Sequence, residues 1–164
     1  MNNNGELNGS REFLWPVRVY IEDTDAGGIV FYVNYLKYME RARTEFMRAL
    51  GYGKNSFEPS ERDENAAGEG GIFTDQLMFV VHSVAASYHK PARLDDELFA
   101  TARILSLGAA QMRFEQRILR GSEPHSESLS YEVLCSGEVK IACVDRRTLK
   151  PRRIPNALLA ALSV

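Results

Sequence analysis

From residue 33 to residue 50 apolar side chains recur at Leu36, Met39, Ala42 or Arg43, Phe46, Met47 and Leu50, and Gly51 follows as a stop. That spacing predicts one long helix with a single buried face. Upstream, residues 15–21 are β-branched and aromatic, with Pro16 suited to a strand start or an edge, and predict a strand. Downstream the period shortens towards two, predicting strands over 77–89, 97–107, 111–119 and 129–144. The last alternates most clearly, with Leu129, Tyr131, Val133, Cys135, Val139, Ile141 and Cys143 expected on one face. Gly108 and the stretch 121–128 break the run, and 154–162 suits a short terminal helix after Pro151 and Pro155.

Two stretches carry no period. Residues 1–10 are polar and have little apolar surface to offset the cost of ordering, so 1–12 are expected to be a disordered tail before a single domain over 13–164. Residues 53–74 mix Asn, Ser, Pro, Asp, Glu and Gly and read as a long surface loop able to cover a site. The element order is that of an α+β domain with an antiparallel sheet packed on one helix. One helix covers only part of such a sheet, and the apolar face left over favours association with a second copy.

Composition narrows the function classes. A 164-residue chain with 45% hydrophobic and 26% charged residues is an ordinary globular domain, and its net charge of −2 offers no field for nucleic acid. No apolar run is long enough to span a bilayer and the first ten residues lack a signal-peptide pattern, so a cytoplasmic location is expected. Cys135 and Cys143 fall on one predicted strand, too far apart along it to bridge, and read as reduced core thiols. No metal or cofactor is expected, because no Cys or His stands near them at ligand spacing.

The candidate chemistry lies between the first strand and the helix, in Glu22-Asp23-Thr24-Asp25-Ala26-Gly27-Gly28. A helix start presents free N–H donors and the positive end of the macrodipole, able to hold a developing oxyanion. Asp25, a few residues away, would supply a base or nucleophile, and Gly27 and Gly28 would let substrate approach the backbone. Asp23 and Asp25 are equally typical of residues that organise a turn or cap a helix.

The run from Arg18 to Glu45 resembles the hotdog-fold thioesterases of the 4-hydroxybenzoyl-CoA thioesterase family, and the Tol-Pal-associated acyl-CoA thioesterase branch in particular. The similarity continues through Phe79-Val80-Val81-His82-Ser83 and from Tyr88 to Asp96 to the last strand. The resemblance implies a hotdog fold, an antiparallel sheet wrapped round one central helix, in an oligomer: a homodimer paired through its sheets or a homotetramer, with active sites at the subunit interface. It implies acyl-CoA hydrolysis with Asp25 as nucleophile or general base and the Tyr32 backbone N–H as oxyanion donor, coenzyme A entering only as part of the substrate. Many members of that branch carry His where this chain has Tyr32.

Other residues carry weaker expectations. Tyr35 and Tyr38 suit an acyl pocket or plain core packing, and Glu40 a direct role or a charged helix face. His82 and His89 lie at opposite parity on one predicted strand and cannot form a pair there, and His125 sits in a polar turn. Lys90 and Arg93, with Arg146 and Arg147, are the cations available for coenzyme A phosphates. The expected partners are an acyl-CoA or, alternatively, an acyl group on acyl carrier protein. A non-catalytic acyl-CoA-binding scaffold tied to cell-envelope maintenance is the reading outside catalysis.

Overall fold

The computed structural model describes residues 7–8, 12–51, 77–121 and 130–163. The expected loop over 53–74, His125, Leu129 and most of the expected tail lie outside them. Strands β1 (Leu7–Asn8) and β2 (Glu12–Arg18) lead to helix α1 (Tyr32–Ala49), then β3 (Leu77–Tyr88), β4 (Glu97–Leu107), β5 (Gln111–Gly121), β6 (Tyr131–Asp145) and the short helix α2 (Asn156–Leu162). All pairings are antiparallel in one sheet of order β1-β2-β4-β5-β6-β3. Within the expected tail, Leu7 and Asn8 pair with Phe13 and Glu12. The first strand sits three residues earlier than its composition suggests. Ile21–Asp23 instead turns as a single 3-10 helix, with Ile21 and Tyr20 exposed.

Helix α1 buries Tyr35, Tyr38, Met39, Ala42, Phe46 and Met47 against the sheet. Facing it, β5 turns Met112, Phe114, Gln116 and Ile118 inward and Arg113, Glu115 and Arg117 outward, a clean period of two. Phe46 packs edge-on against both Phe13 and Phe114. Gly137 of β6 lets the helix come close: a Cβ there would stand 3.3 Å from Met39 Cε and 3.2 Å from the Ala85 carbonyl oxygen. The outer face is solvated and carries cross-strand ion pairs, Arg103 with Glu115, Arg113 with Glu138 and Arg120 with Glu132. Such exposed pairs each contribute little.

Two bulges change the expected facing. The β3–β6 register slips between Val81 and Ser83, leaving His82 at the irregularity, and His89 lies past the strand end. Strict alternation therefore does not relate the two histidines. His89 Nε2 is hydrogen-bonded to Ser136 Oγ at 2.8 Å. The β5–β6 register slips between Ile118, opposite Cys135, and Leu119, opposite Val133. Leu134 is the extra residue and is fully buried, so Tyr131 and Val133 turn to the face opposite Cys135 and Cys143. Both cysteines are buried free thiols, and burial pushes the Cys135 thiol up to about 11.

Strand β3 ends the sheet with one edge unpaired by any described strand. Val81, Val84 and Tyr88 along it are exposed.

Candidate active site

The chain between β2 and α1 is a closed loop. Thr24 and Val30 form a bridge, the Asp25 N–H donates to the Ile29 carbonyl at 2.9 Å, and the Gly28 N–H donates to the Asp25 carbonyl at 3.0 Å. Gly28 takes φ +77°, the left-handed conformation that a non-glycine residue resists. At the loop tip the exposed Asp25 carboxylate accepts the Gly27 N–H on Oδ1 at 2.8 Å, with the Ile29 N–H at 3.4 Å. Asp25 thus organises the turn. Its second oxygen, Oδ2, makes no hydrogen bond among the described residues.

The loop returns straight into α1. Phe31 is the N-cap, no side chain caps the helix, and the first turn holds no acidic residue. The first backbone N–H groups, Tyr32 among them, therefore lack an intrahelical acceptor. Asp25 does not act as the helix cap. Instead it stands on the same small loop as an uncapped, electropositive helix end. Aromatic side chains surround that end: Tyr32, 58% exposed, packs edge-on against Phe31 and Tyr88, and Tyr88 donates its hydroxyl to the Tyr32 carbonyl at 3.2 Å.

The other expected residues divide into near and far. Tyr35 is buried behind this end, its hydroxyl accepting the Ala92 N–H at 2.9 Å, so it holds the 89–93 segment to the helix. Ile29 bridges Arg93, which brings Arg93 beside the loop, exposed; its N–H donates to Asp96 Oδ2 at 2.9 Å, and its guanidinium has no partner among the described residues. Lys90 is turned to Glu132, with Nζ 2.5 Å from its carboxylate. Arg147 follows β6 within the turn that its N–H and the Thr148 N–H close on Asp145 Oδ1, and Arg146 lies in the same turn. Glu40 lies two turns along α1 from Tyr32, exposed, accepting the Thr44 hydroxyl at 3.1 Å. Among the described residues no three His, Cys, Asp or Glu side chains converge on a metal-sized site.

This loop-and-helix geometry has relatives. The description of the thioesterase-like superfamily matches residues 19–162, nearly the whole chain. The chain belongs to the thioesterase-like superfamily. Its thioesterase relatives include the acyl-CoA thioester hydrolase YbgC of Escherichia coli, 34% identical over 148 residues that cover 90% of this chain and 93% of that protein. The acyl-CoA thioesterase YbgC of Haemophilus influenzae is 36% identical over 149 residues, covering 91% and 93%. Among solved thioesterase structures, Slr0204 of Synechocystis, a 1,4-dihydroxy-2-naphthoyl-CoA thioesterase, superposes with a TM-score of 0.73 over 93% of this chain and 96% of its own. At 16% identity that likeness is one of fold, the hotdog fold expected from the sequence.

Within this thioesterase the structure adds Asn34, which pattern reading passed over, and gives contacts to Asp23 and Tyr38, which the sequence offered only as a turn residue and a pocket or core residue. Asp23 is buried, and its Oδ2 accepts the Tyr20 N–H at 2.9 Å. Its carbonyl accepts the Phe31 N–H at 2.9 Å and Asn34 Nδ2 at 2.8 Å. Tyr38, one turn beyond Asn34, is fully buried, with no partner within hydrogen-bond distance of its hydroxyl among the described residues; burial and then the nearby Asp23 carboxylate hold that hydroxyl far above its ordinary pKa. A buried Asp and a buried Asn eleven residues apart are the sequence signal, visible only once Asn34 is placed on the apolar face of α1.

Proposed function

We propose that this chain hydrolyses acyl-CoA thioesters to a carboxylic acid and free coenzyme A. The observation that carries the proposal is the exposed Asp25 carboxylate, one oxygen held by Gly27 and the other unbonded among the described residues, on a loop that closes onto the uncapped start of α1. In this reading the Tyr32 N–H donates a hydrogen bond to the thioester oxygen as negative charge develops on it. Asp25 either attacks the carbonyl carbon directly or takes a proton from the water that does so. On the first route the carbon–sulfur bond breaks to leave an acyl–Asp25 anhydride that water then hydrolyses; on the second, water adds to the carbonyl and the carbon–sulfur bond breaks; on both, the acid is released and the leaving thiolate is protonated. Gly27 leaves the approach free of a side chain, and Arg93 offers a cation to the phosphates of coenzyme A. Identity to acyl-CoA thioester hydrolases over nine-tenths of the chain supports the substrate.

The free edge of β3 supports a two-fold dimer in which two such edges pair. Antiparallel pairing would set the Tyr88 end of one strand, beside its own helix start, against the Phe79 end of the other. Each site would then be completed by the second subunit, and Val81, Val84 and Tyr88 would be covered.

Thiol release from a panel of acyl-CoA substrates tests the activity in wild type and Asp25→Asn. Loss of about a hundredfold or more in kcat in a folded Asp25→Asn protein is expected. Unchanged turnover would remove Asp25 from the mechanism.

A further inference from the structure

The backbone from His89 to Asp96 joins β3 to β4 without regular structure and is held by separate contacts to several elements. The His89 and Lys90 N–H groups donate to the Leu134 carbonyl of β6 at 2.8 and 3.1 Å, and the Ala92 N–H donates to the Tyr35 hydroxyl of α1 at 2.9 Å. At the far end the Asp95 N–H donates to the Val19 carbonyl at 3.1 Å, and the Val19 N–H to the Asp96 carbonyl at 3.0 Å. Asp95 stands at φ +66°, and the turn around it closes through the Asp96 N–H on the Arg93 carbonyl at 3.1 Å and the Arg93 N–H on Asp96 Oδ2 at 2.9 Å. The loop that carries Asp25 leans on this segment. The Val30 N–H donates to the Ala92 carbonyl at 2.9 Å, Ile29 bridges Arg93, and the Ile29 carbonyl receives the Asp25 N–H at 2.9 Å.

One side chain grips the segment at two points. Arg120 of β5 donates from Nη1 to Asp96 Oδ2 at 2.9 Å and to the Pro91 carbonyl at 3.3 Å, while its Nε and Nη2 both donate to Glu132 Oε2. We infer that Arg120 is a positioning residue for the hydrolysis: it fixes the turn from Pro91 to Asp96, and through Ala92 and Arg93 that turn fixes the loop that sets Asp25 against the start of α1. The inference rests on the hydrolytic reading above and adds a residue to it. Among the described residues Arg120 makes no hydrogen bond to residues 22–32, so its effect travels through the turn.

The chemistry of the grip calls for arginine. Pro91 has no N–H, so its carbonyl is the one backbone group by which it can be held. A guanidinium offers five donors in a planar fork, whereas an ammonium is a point charge on a flexible stem that cannot serve two carboxylates and a carbonyl in fixed directions. One oxygen of Asp96 receives both Arg120 and the Arg93 N–H, so a shift of the guanidinium is passed to the backbone beside Ile29. As a partly exposed ion pair with Glu132 alone, Arg120 would contribute little to stability. Its charge-assisted bonds to one turn set geometry instead, and a displacement of about 1 Å at a reacting group can lower a rate by about a hundredfold.

Thiol release and urea unfolding of three single variants and one double variant test the link. Arg120→Lys keeps the charge and should retain the wild-type unfolding midpoint, yet lower kcat about tenfold with KM moving less than about twofold. Asp96→Asn keeps an oxygen for the Arg93 N–H but loses the charge that Arg120 pairs with, and should lower kcat by a similar factor. Since both cut one link, the double variant should lose little more than the worse single one. Glu132→Gln leaves the Pro91 and Asp96 bonds in place and should cost less than about threefold. Full kcat in Arg120→Lys, losses that multiply in the double variant, or losses that follow the unfolding midpoint would overturn the inference. Should wild type turn over no thioester, the hydrolytic reading fails, and amide hydrogen exchange reads the link itself. In Arg120→Lys the Asp25 and Val30 N–H groups should then exchange about tenfold faster or more, with the Met39 amide of α1 unchanged. Unchanged exchange at Val30, or equal acceleration along α1, would overturn it.

Discussion

Asn34 donates from Nδ2 to the carbonyl of Asp23 at 2.8 Å, tying the first turn of α1 to the loop that carries Asp25. Both residues are 7% exposed, and the same carbonyl also accepts the Phe31 N–H. The separation of carboxylate and helix start is therefore set from two directions. Asn34→Leu removes one of them. Losing the bond in a buried site should cost about 1–3 kcal/mol in urea unfolding. The looser loop should lower kcat by about tenfold or more while KM moves little. A loss confined to KM would count against a positioning role.

The adjacent glycines of the loop should separate under substitution. A Cβ on Gly27 would lie 3.1 Å from Asp25 Oδ1, whereas one on Gly28 meets nothing but must adopt φ +77°. Gly27→Ala should displace the carboxylate and lower kcat with little change in unfolding midpoint. Gly28→Ala should cost about 1–2 kcal/mol of stability from its left-handed backbone. Paired kinetic and urea measurements check both, and a reversed pattern would refute this division of roles.

Much of this was legible in the residues because α1 and β5 repeat their patterns without interruption. Leu36 to Leu50 marks the helix, and Met112 to Ile118 marks an inward strand face. Cys135, Val139, Ile141 and Cys143 share one buried face as their alternation predicts, but the facing of Tyr131 and Val133 was not legible because Leu134 is one inserted residue and a single bulge inverts the facing across it. The first strand was misplaced because Val19 and Ile21 carry strand-like side chains into a segment whose pairing ends at Arg18. Asp25 was legible as a candidate and Asp23 as a turn residue, while the tie between Asp23 and Asn34 was not, since their bond spans eleven residues and exists only when loop and helix meet. Lys90 and Arg93 looked equivalent in sequence, and an acidic residue from β6 separates them.

That separation is measurable. Lys90 is paired with Glu132, which Arg120 also holds, whereas Arg93 stands beside Ile29 with its guanidinium unpaired among the described residues. Arg93→Ala should raise KM for coenzyme A thioesters about three- to tenfold, with the effect shrinking as salt screens the phosphates. Lys90→Ala should change KM less. Equal KM effects insensitive to ionic strength would remove Arg93 from substrate binding.

Gln116 has no exposed surface, accepts from Arg43 and donates to the carbonyls of Met39 and Thr101, so helix and sheet meet through one amide. Desolvation lowers the pKa of Arg43, which marks how far that cation depends on its partner. Gln116→Leu strands a half-buried charge and two carbonyls and should destabilise by about 3 kcal/mol or more. Gln116→Glu keeps the acceptor for Arg43 and should lose less. Urea unfolding of the two variants decides, and equal losses would show that the volume of the side chain matters rather than its polarity.

Alkali should weaken the fold through Cys135. Its thiol is fully buried, and burial raises its pKa from 9.0 to about 11. The raised value means that the folded protein holds this proton more tightly than the unfolded chain does. Stability from the neutral thiol is complete below about pH 9, where both states are protonated, and is lost as pH rises towards 11, because the unfolded chain ionises first. Two pH units of difference correspond to about 3 kcal/mol. Urea unfolding measured from pH 8 to 11 should fall over this window. In Cys135→Ala the fall should shrink to the share of Cys143, Tyr35, Tyr38 and Tyr88, whose groups burial also raises. An identical slope in wild type and Cys135→Ala would show that the thiol does not carry it.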